Sequence, residues 1–174
     1  PLVVNRPINF QRDLRQNRVP IVRLGSFPSP RNAAQTLADF DRKVAAIQKS
    51  GAVPLFYAPI KPGLPYLQAN GQPGGTIASH IVALVKHYSA PPFNLQKQYW
   101  EVGNEPDIGI DYKVQTTQEY IDLFRSVHNA LVAAGLRDRV TLMGPVTSRA
   151  YRQGAILFAD QLMEDFLAQC HDIV

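Results

Sequence analysis

Four short apolar runs, each followed by a helical pattern, constrain the fold of this chain more than any other feature. The runs are rich in β-branched and aromatic residues and show little polar alternation, which is typical of parallel strands covered on both faces. They are Ile21 to Leu24, Val53 to Ala58, Tyr99 to Gly103 and Val140 to Val146. Because strands and helices alternate, the sequence predicts an α/β fold with a parallel sheet.

Helical stripes occupy the intervals between these runs. Gly51 lies where the C-terminal cap of the first predicted helix belongs, and Thr116 with Glu119 fits a capping box before the third. A short strand at Leu2 to Val4 and a helix near Phe10 to Arg15 are further candidates. The four predicted stripes are Leu37 to Ile47, Ile77 to Tyr88, Tyr120 to Leu131 and Ile156 to Cys170.

Two architectures, a doubly wound sheet and a (β/α)8 TIM barrel, share this alternation. The glycine-rich segment Gly71 to Gly75 does not match the GxGxxG pattern and follows a long loop, so nucleotide binding by a doubly wound fold is disfavoured. A barrel needs roughly 250 residues, and His171 to Val174 resembles the start of another strand. We therefore expect a single partial barrel domain over residues 1–174, from about strand 1 or 2 to the start of strand 6. It would continue beyond Val174 in the natural chain, so the rest of the barrel or another chain would cover its open edges.

Charge and cysteine usage exclude several function classes. The net charge is +4, and the Lys and Arg residues are dispersed, so nucleic acid is not an expected partner. No apolar run is long enough to span a bilayer. Cys170 is the single cysteine and is expected to be a buried core thiol. The four histidines have no metal-ligand spacing, so neither a metal site nor a cofactor is predicted.

The segment YWEVGNEPD, Tyr99 to Asp107, carries the clearest chemistry. Pro106 has no amide hydrogen and cannot continue a strand ladder, so the preceding Glu105 would be held at the carboxyl end of the strand. A carboxylate fixed there suits general acid/base catalysis. The adjacent Asn104 offers an amide suited to a sugar hydroxyl, and Gly103 leaves room for close approach of a ligand or backbone.

The run Trp100 to Pro106, WEVGNEP, resembles the fourth strand of the retaining glycoside hydrolases of the large (β/α)8 clan A. It is especially similar to heparanase-like and β-glucuronidase-like members, and to xylosidase-like and arabinofuranosidase-like ones. The resemblance implies O-glycosyl bond hydrolysis by double displacement, with Glu105 as the acid/base and Asn104 binding the hydroxyl next to the anomeric carbon. It also matches Arg23 with an arginine that steadies the nucleophile. The implied substrate is an oligo- or polysaccharide. A secreted or periplasmic location is favoured because polysaccharide-cleaving relatives are often exported, although the sequence itself leaves the compartment unknown.

One departure from this family concerns the nucleophile, which its members take from the seventh strand. Asp107 and Asp111 follow the motif but fall on the outgoing loop, where we expect surface or rim residues. Residues 1–174 alone are thus predicted not to hydrolyse glycosides. The alternative function is a carbohydrate-binding or scaffold barrel of the same ancestry that does not catalyse turnover.

Other residues are candidates for substrate contact or support. Glu101 shares strand parity with Gly103, and we expect it to pair with Arg23 as a buried ion pair. Tyr57 and Tyr112 are candidates for substrate binding, since a ring with a polar tip can stack on a sugar. Tyr66 and Tyr151 also lie at or beyond strand ends, where packing competes with sugar contact. The basic loop residues, compatible with a uronate or with plain solvation, are Lys61, Lys113, Arg149 and Arg152.

Overall fold

Four strands and four helices alternate along the described part of the chain. The computed structural model describes residues 15, 18–24, 33–60, 66–68, 70–72, 74–108, 114–148 and 158–174, the side chains of 33–36 excepted. The strands are β1 (Ile21–Leu24), β2 (Val53–Ala58), β3 (Gln98–Val102) and β4 (Val140–Met143). The helices are α1 (Ala33–Ser50), α2 (Ile77–Ser89), α3 (Thr117–Ala133) and α4 (Phe158–Cys170), and a 3-10 turn (Arg137–Arg139) precedes β4.

The four strands form one parallel sheet in the order β1-β2-β3-β4. Each strand therefore pairs with the strand that follows it in sequence, through a helical crossover of the kind that parallel pairing requires. The predicted α/β class with a parallel sheet is confirmed.

One face of this sheet carries the core. Leu24, Phe56, Trp100 and Leu142 lie side by side across the register, and each is at least 94% buried. The rings of Phe56 and Trp100 stack with centroids 4.6 Å apart. Buried residues from all four helices join the same cluster, among them Val44, Val85, Phe124 and Leu162. The described helices thus contribute to a core on a single face.

The opposite face is open over much of its area. Ile21 is 50% exposed, Val53 37% and Met143 36%, and all three belong to the strand parity that points away from the helices. Toward the carboxyl ends of the strands this face becomes polar, with Arg23 on β1 and Glu101 on β3. On its open face the sheet is therefore apolar at the amino ends of β1 and β2 and charged at the carboxyl ends of β1 and β3, with Met143 of β4 beside Glu101.

Two strands end earlier than their apolar runs predict. The backbone of Gly103 has a φ of +78°, which takes the chain out of β3 after Val102. A side chain there would also crowd Ile60, 3.1 Å from the position of a Cβ atom. β4 stops at Met143 because Gly144 has a φ of +155° and Pro145 has no N–H to donate to the ladder.

A tyrosine on α3 supports the carboxyl end of β3. Tyr120 is completely buried, and its hydroxyl donates a hydrogen bond of 2.7 Å to the carbonyl of Val102. Burial raises the pKa of Tyr120, and the nearby Cys170 and Glu101 add to the rise. The hydroxyl therefore keeps its proton and remains a donor beneath the strand end.

The helix ends follow the sequence signals closely. Gly51 has a φ of +84° just past α1, as its predicted C-cap role requires. The Thr116 hydroxyl accepts the N–H of Glu119 at 3.1 Å, so the predicted N-cap of α3 is confirmed. The second half of the capping box is displaced by one residue, because the Glu119 carboxylate accepts the N–H of Gln115 instead of that of Thr116.

The strand predicted at His171 to Val174 is wrong, and with it the start of a sixth strand. These residues form a turn and an irregular segment after α4. The N–H of Ile173 bonds to the Cys170 carbonyl at 3.0 Å, and the Ile173 carbonyl accepts Arg137 Nη2 at 2.9 Å. The backbone is thus satisfied by a helix-end turn and a side chain, without a strand partner.

Two further predictions can be compared with the structure, and a third falls mostly outside the described residues. Cys170 is completely buried, as expected of a core thiol. None of the described helices is long and apolar enough to cross a membrane. The candidates at Leu2 to Val4 and Phe10 to Arg15 lie outside the described residues, apart from Arg15 itself.

Candidate functional site

The candidate site lies where the carboxyl ends of β1, β2 and β3 meet. In a parallel sheet these ends share one edge, which is where ligand sites of α/β folds collect. The register aligns Tyr57 on β2 with Glu101 on β3. The N–H of Gly103 bonds to the Ala58 carbonyl at 2.8 Å, so the two strands stay paired up to the turn that holds Asn104 and Glu105.

Arg23 connects the charged residues of this edge. Its Nε donates to Glu101 Oε2 at 2.5 Å, and its Nη2 donates to Asn104 Oδ1 at 2.6 Å. The predicted ion pair between Arg23 and Glu101 is therefore present. The Glu101 side chain is 8% exposed and that of Arg23 is 41% exposed, so the carboxylate lies beneath a guanidinium that faces solvent.

The contact with Arg23 also orients Asn104. A guanidinium has only donors, so the amide must present its oxygen to Arg23 and direct the two N–H donors of Nδ2 away from it. Asn104 is half-buried at the edge of the sheet. The result is a fixed amide whose donors point away from the arginine, an arrangement suited to an oxygen acceptor on a ligand.

Tyr57 forms the floor of the site beside Arg23. The guanidinium carbon of Arg23 lies 5.0 Å from the centroid of the Tyr57 ring, within cation–π range. Tyr57 is 5% exposed, and its hydroxyl is buried without a hydrogen-bond partner among the described residues. A buried hydroxyl without a partner costs free energy, so a ligand that supplied the missing hydrogen bond would be stabilised here.

Glu105 combines two unfavourable features. Its φ of +47° is in the left-handed region, which disfavours non-glycine residues by about 1–2 kcal/mol. Its Oε2 is buried and, within the described part of the chain, has no hydrogen-bond partner. The backbone is held there by the Glu105 N–H, which bonds to the Val146 carbonyl beyond β4 at 2.8 Å. Strain together with an unsatisfied carboxylate oxygen is typical of functional residues.

Glu105 lies farther from the strand than the sequence indicates. It stands in a turn three residues past Val102, the last residue of β3, because Gly103 already leaves the strand conformation. The turn is nevertheless well held, since the Ile108 N–H bonds to the Glu105 carbonyl at 3.2 Å. The Val114 N–H bonds to the Pro106 carbonyl at 3.1 Å.

The predicted surface or rim position of Asp107 is wrong, because Asp107 is only 6% exposed. Its Oδ1 accepts the Ser148 N–H at 3.0 Å and its Oδ2 accepts the Ser148 hydroxyl at 2.8 Å. The sequence carries no local sign of this burial, because the burial depends on contact between the loops that follow β3 and β4. Ser148, on the loop after β4, is the hydrogen-bond partner of both oxygens of this carboxylate.

The remaining candidates divide between packing and residues outside the described ranges. The Tyr66 hydroxyl donates to the Pro59 carbonyl at 2.7 Å, and its ring is buried, so Tyr66 is a loop-packing residue. Tyr112, Asp111 and Tyr151 lie outside the described residues, as do the four basic loop residues Lys61, Lys113, Arg149 and Arg152. No group of three or more metal-ligating side chains is found within the described ranges.

No family model matches the chain, and no curated protein matches it significantly. The functional interpretation therefore depends on the geometry of the site and on the resemblance of the WEVGNEP run.

Proposed function

We propose that this chain belongs to a retaining glycoside hydrolase in which Glu105 is the general acid/base. The observation that carries the proposal is the state of Glu105, a carboxylate with a buried, unpartnered oxygen, held in a strained turn at the carboxyl end of a parallel sheet. General acid/base catalysis needs a carboxyl group fixed within hydrogen-bond reach of the leaving-group oxygen.

The fold supports a barrel as the setting of this chemistry. Successive strands pair in chain order, and all four described helices contribute to the core on one face. A doubly wound sheet places helices on both faces, whereas a (β/α)8 barrel places them outside and turns the other face inward. Arg23, Tyr57 and Glu101 belong to the inward parity under this proposal.

The roles of the chain's own residues follow from their contacts. Glu105 would protonate the glycosidic oxygen as the bond to the anomeric carbon breaks, and would then remove a proton from the attacking water. Asn104, oriented by Arg23, would donate a hydrogen bond to the neighbouring sugar hydroxyl. The Tyr57 hydroxyl would gain a partner from the bound sugar.

The nucleophile of a double displacement would be a second carboxylate, about 5–5.5 Å from the first. Of the described carboxylates near Glu105, Glu101 is paired with Arg23 and Asp107 with Ser148. The Glu101 side chain is 8% exposed, and both oxygens of Asp107 accept hydrogen bonds from Ser148. We therefore assign no nucleophile among the described residues.

The polar groups at this edge also fit a second candidate function, a carbohydrate-binding barrel of glycosidase ancestry that does not catalyse turnover. Arg23, Asn104 and Tyr57 would still bind a sugar, through a guanidinium, an amide and a hydroxyl respectively. Turnover, and not binding, separates the two candidates.

The test is an aryl-glycoside panel on the longest natural chain that contains these residues. The panel covers glucuronide, xyloside, glucoside, galactoside and arabinofuranoside, with wild type, Glu105→Ala and the control Glu164→Ala on the exposed side of α4. Hydrolysis of one glycoside that Glu105→Ala abolishes and Glu164→Ala leaves intact supports the enzyme. Sugar binding without turnover in the wild type supports the binding barrel, and neither binding nor turnover contradicts both.

A further inference from the structure

We infer that Asp107 is a positioning residue for Glu105, acting through a latch between the loops that follow β3 and β4. This inference rests on the proposed function, since it concerns how the acid/base is held. We call the pair Asp107 and Ser148 the latch. It consists of two hydrogen bonds to the two oxygens of one carboxylate, 3.0 Å from the Ser148 N–H and 2.8 Å from its hydroxyl.

The latch is one half of a reciprocal connection. The Glu105 N–H on the first loop donates to the Val146 carbonyl on the second. Two residues farther along each loop, the Ser148 N–H on the second loop donates to the Asp107 carboxylate on the first. The two loops are thereby joined on both sides of Pro106. Since Pro106 fixes its own φ, little backbone freedom remains between the two connections.

Burial makes the latch costly to lose. Asp107 is 6% exposed, and a buried carboxylate without partners is strongly unfavourable. Both of its oxygens are hydrogen-bonded, in contrast to the unpartnered Oε2 of Glu105 two residues earlier. One carboxylate of the turn is thus fully engaged in holding the loop, while the other keeps an oxygen for a ligand.

Strain at Glu105 indicates what the latch does. A non-glycine residue keeps a φ of +47° only where the surrounding structure enforces it. Without the latch, the turn could relax toward an ordinary conformation and move the Glu105 carboxylate away from the leaving group. Displacements of about 1 Å can cost about a hundredfold in rate.

The effect should depend on the leaving group. A weakly basic leaving group such as 2,4-dinitrophenolate departs without protonation, whereas 4-methylphenolate needs the general acid. Misplacing Glu105 should therefore slow the cleavage of the methylphenyl glycoside more than that of the dinitrophenyl glycoside. A variant that only reduces the fraction of folded protein lowers both rates by the same factor.

The experiment measures kcat/KM for both glycosides of the sugar that the panel identifies, in the longest natural chain. We expect Asp107→Ala to lower the methylphenyl rate about tenfold more than the dinitrophenyl rate. Asp107→Asn should restore most of this ratio, because an amide oxygen can accept the Ser148 N–H while its NH2 donates to the hydroxyl. Ser148→Ala, which keeps the N–H, should change the ratio in the same direction and by less.

Asp165→Ala is the matched control. Asp165 also accepts a hydroxyl and an N–H, from Thr117 at 2.5 Å and Gln161 at 2.8 Å, but these two bonds involve α3 and α4 and no residue of the turn that holds Glu105. We expect it to leave the ratio of the two rates unchanged. Equal losses on both glycosides in Asp107→Ala and Ser148→Ala, or an equal ratio change in Asp165→Ala, would overturn the inference. Absence of Glu105-dependent hydrolysis in the wild type is a separate result that overturns the proposed function and this inference with it.

Discussion

Replacing Gly144 by alanine tests how tightly the carboxyl ends of β3 and β4 are packed on α3. An added Cβ would overlap the buried hydroxyl of Tyr120, and its next neighbours, Phe124 and the Tyr120 ring carbon Cζ, would lie at 3.4 Å. The Tyr120 ring is enclosed by Phe124 and Phe166, with centroids 6.2 and 5.9 Å away, so it cannot turn aside freely.

The magnitude follows from two separable costs. Overpacking of a core costs about 1–3 kcal/mol. A φ of +155° in a residue with a side chain costs about 1 kcal/mol or more. We expect Gly144→Ala to lower the free energy of unfolding by about 3 kcal/mol, or roughly 6–12 °C in Tm for a chain of this length.

A double-mutant cycle with Tyr120→Phe separates these costs. The phenylalanine lacks the overlapping oxygen, so Gly144→Ala in that background should keep only its backbone cost of about 1 kcal/mol. Tyr120→Phe alone leaves the Val102 carbonyl without its hydroxyl donor and should cost about 1–2 kcal/mol. The two changes should then be non-additive by about 2 kcal/mol.

The assay is urea unfolding followed by the fluorescence of Trp100, the one tryptophan, which is 1% exposed. Gly135→Ala is the control, because Gly135 has a φ of +67° but no atom within 4 Å of the added Cβ. It should cost about 1 kcal/mol in either background. Additive effects of Gly144→Ala and Tyr120→Phe would refute the packing argument, as would a similar dependence of Gly135→Ala on Tyr120.

Two further predictions concern pH and association. Burial lowers the pKa of His80 from 6.5 to about 4, so between these values the unfolded chain binds a proton that the folded chain excludes, and stability falls as the pH drops through this window. In urea unfolding, the free energy of unfolding should be about 2 kcal/mol lower at pH 5 than at pH 7 because of this group. The difference should be absent in His80→Gln and kept in the exposed control His171→Gln. An equal loss in His80→Gln would contradict this explanation. The open sheet face exposes Ile21, Val53 and Met143, so the 174-residue chain should self-associate at tens of micromolar in light scattering. Val53→Lys should weaken this association and Val132→Lys, on the helical surface, should not; a monomer in the unmodified chain would contradict the open-face argument.

The sequence was sufficient for the elements because their signals are local. The runs at Ile21 to Leu24 and Val53 to Ala58 match β1 and β2 in both bounds, and Gly51 marks the end of α1. The helical stripes and the Thr116 cap depend only on residues a few positions apart. The run at Val140 to Val146 exceeded β4 because an apolar pattern does not reveal where Gly144 turns the backbone.

The sequence predicted which residues form the site better than it predicted the contacts between them. Strand parity indicated that Glu101 lies on the same side as Gly103, and the need of a buried carboxylate for a partner led to Arg23 on another strand. The latch between Asp107 and Ser148 could not be found in this way, because 41 residues separate its members and no pattern joins them. The strained φ of Glu105 is likewise accompanied by a contact distant in sequence, the hydrogen bond from its N–H to the Val146 carbonyl on the next loop.

The most direct test of the central claim is the azide reaction of Glu105→Ala. In the longest natural chain, this variant should still form the glycosyl-enzyme from a dinitrophenyl glycoside, which needs no acid, but should lack the base that activates water. Added azide, which needs no base, should restore turnover and give a glycosyl azide of retained configuration, identified by NMR. Wild-type activity in Glu105→Ala without azide, or an azide-independent loss with no glycosyl azide formed, would contradict the assignment of Glu105 as the acid/base.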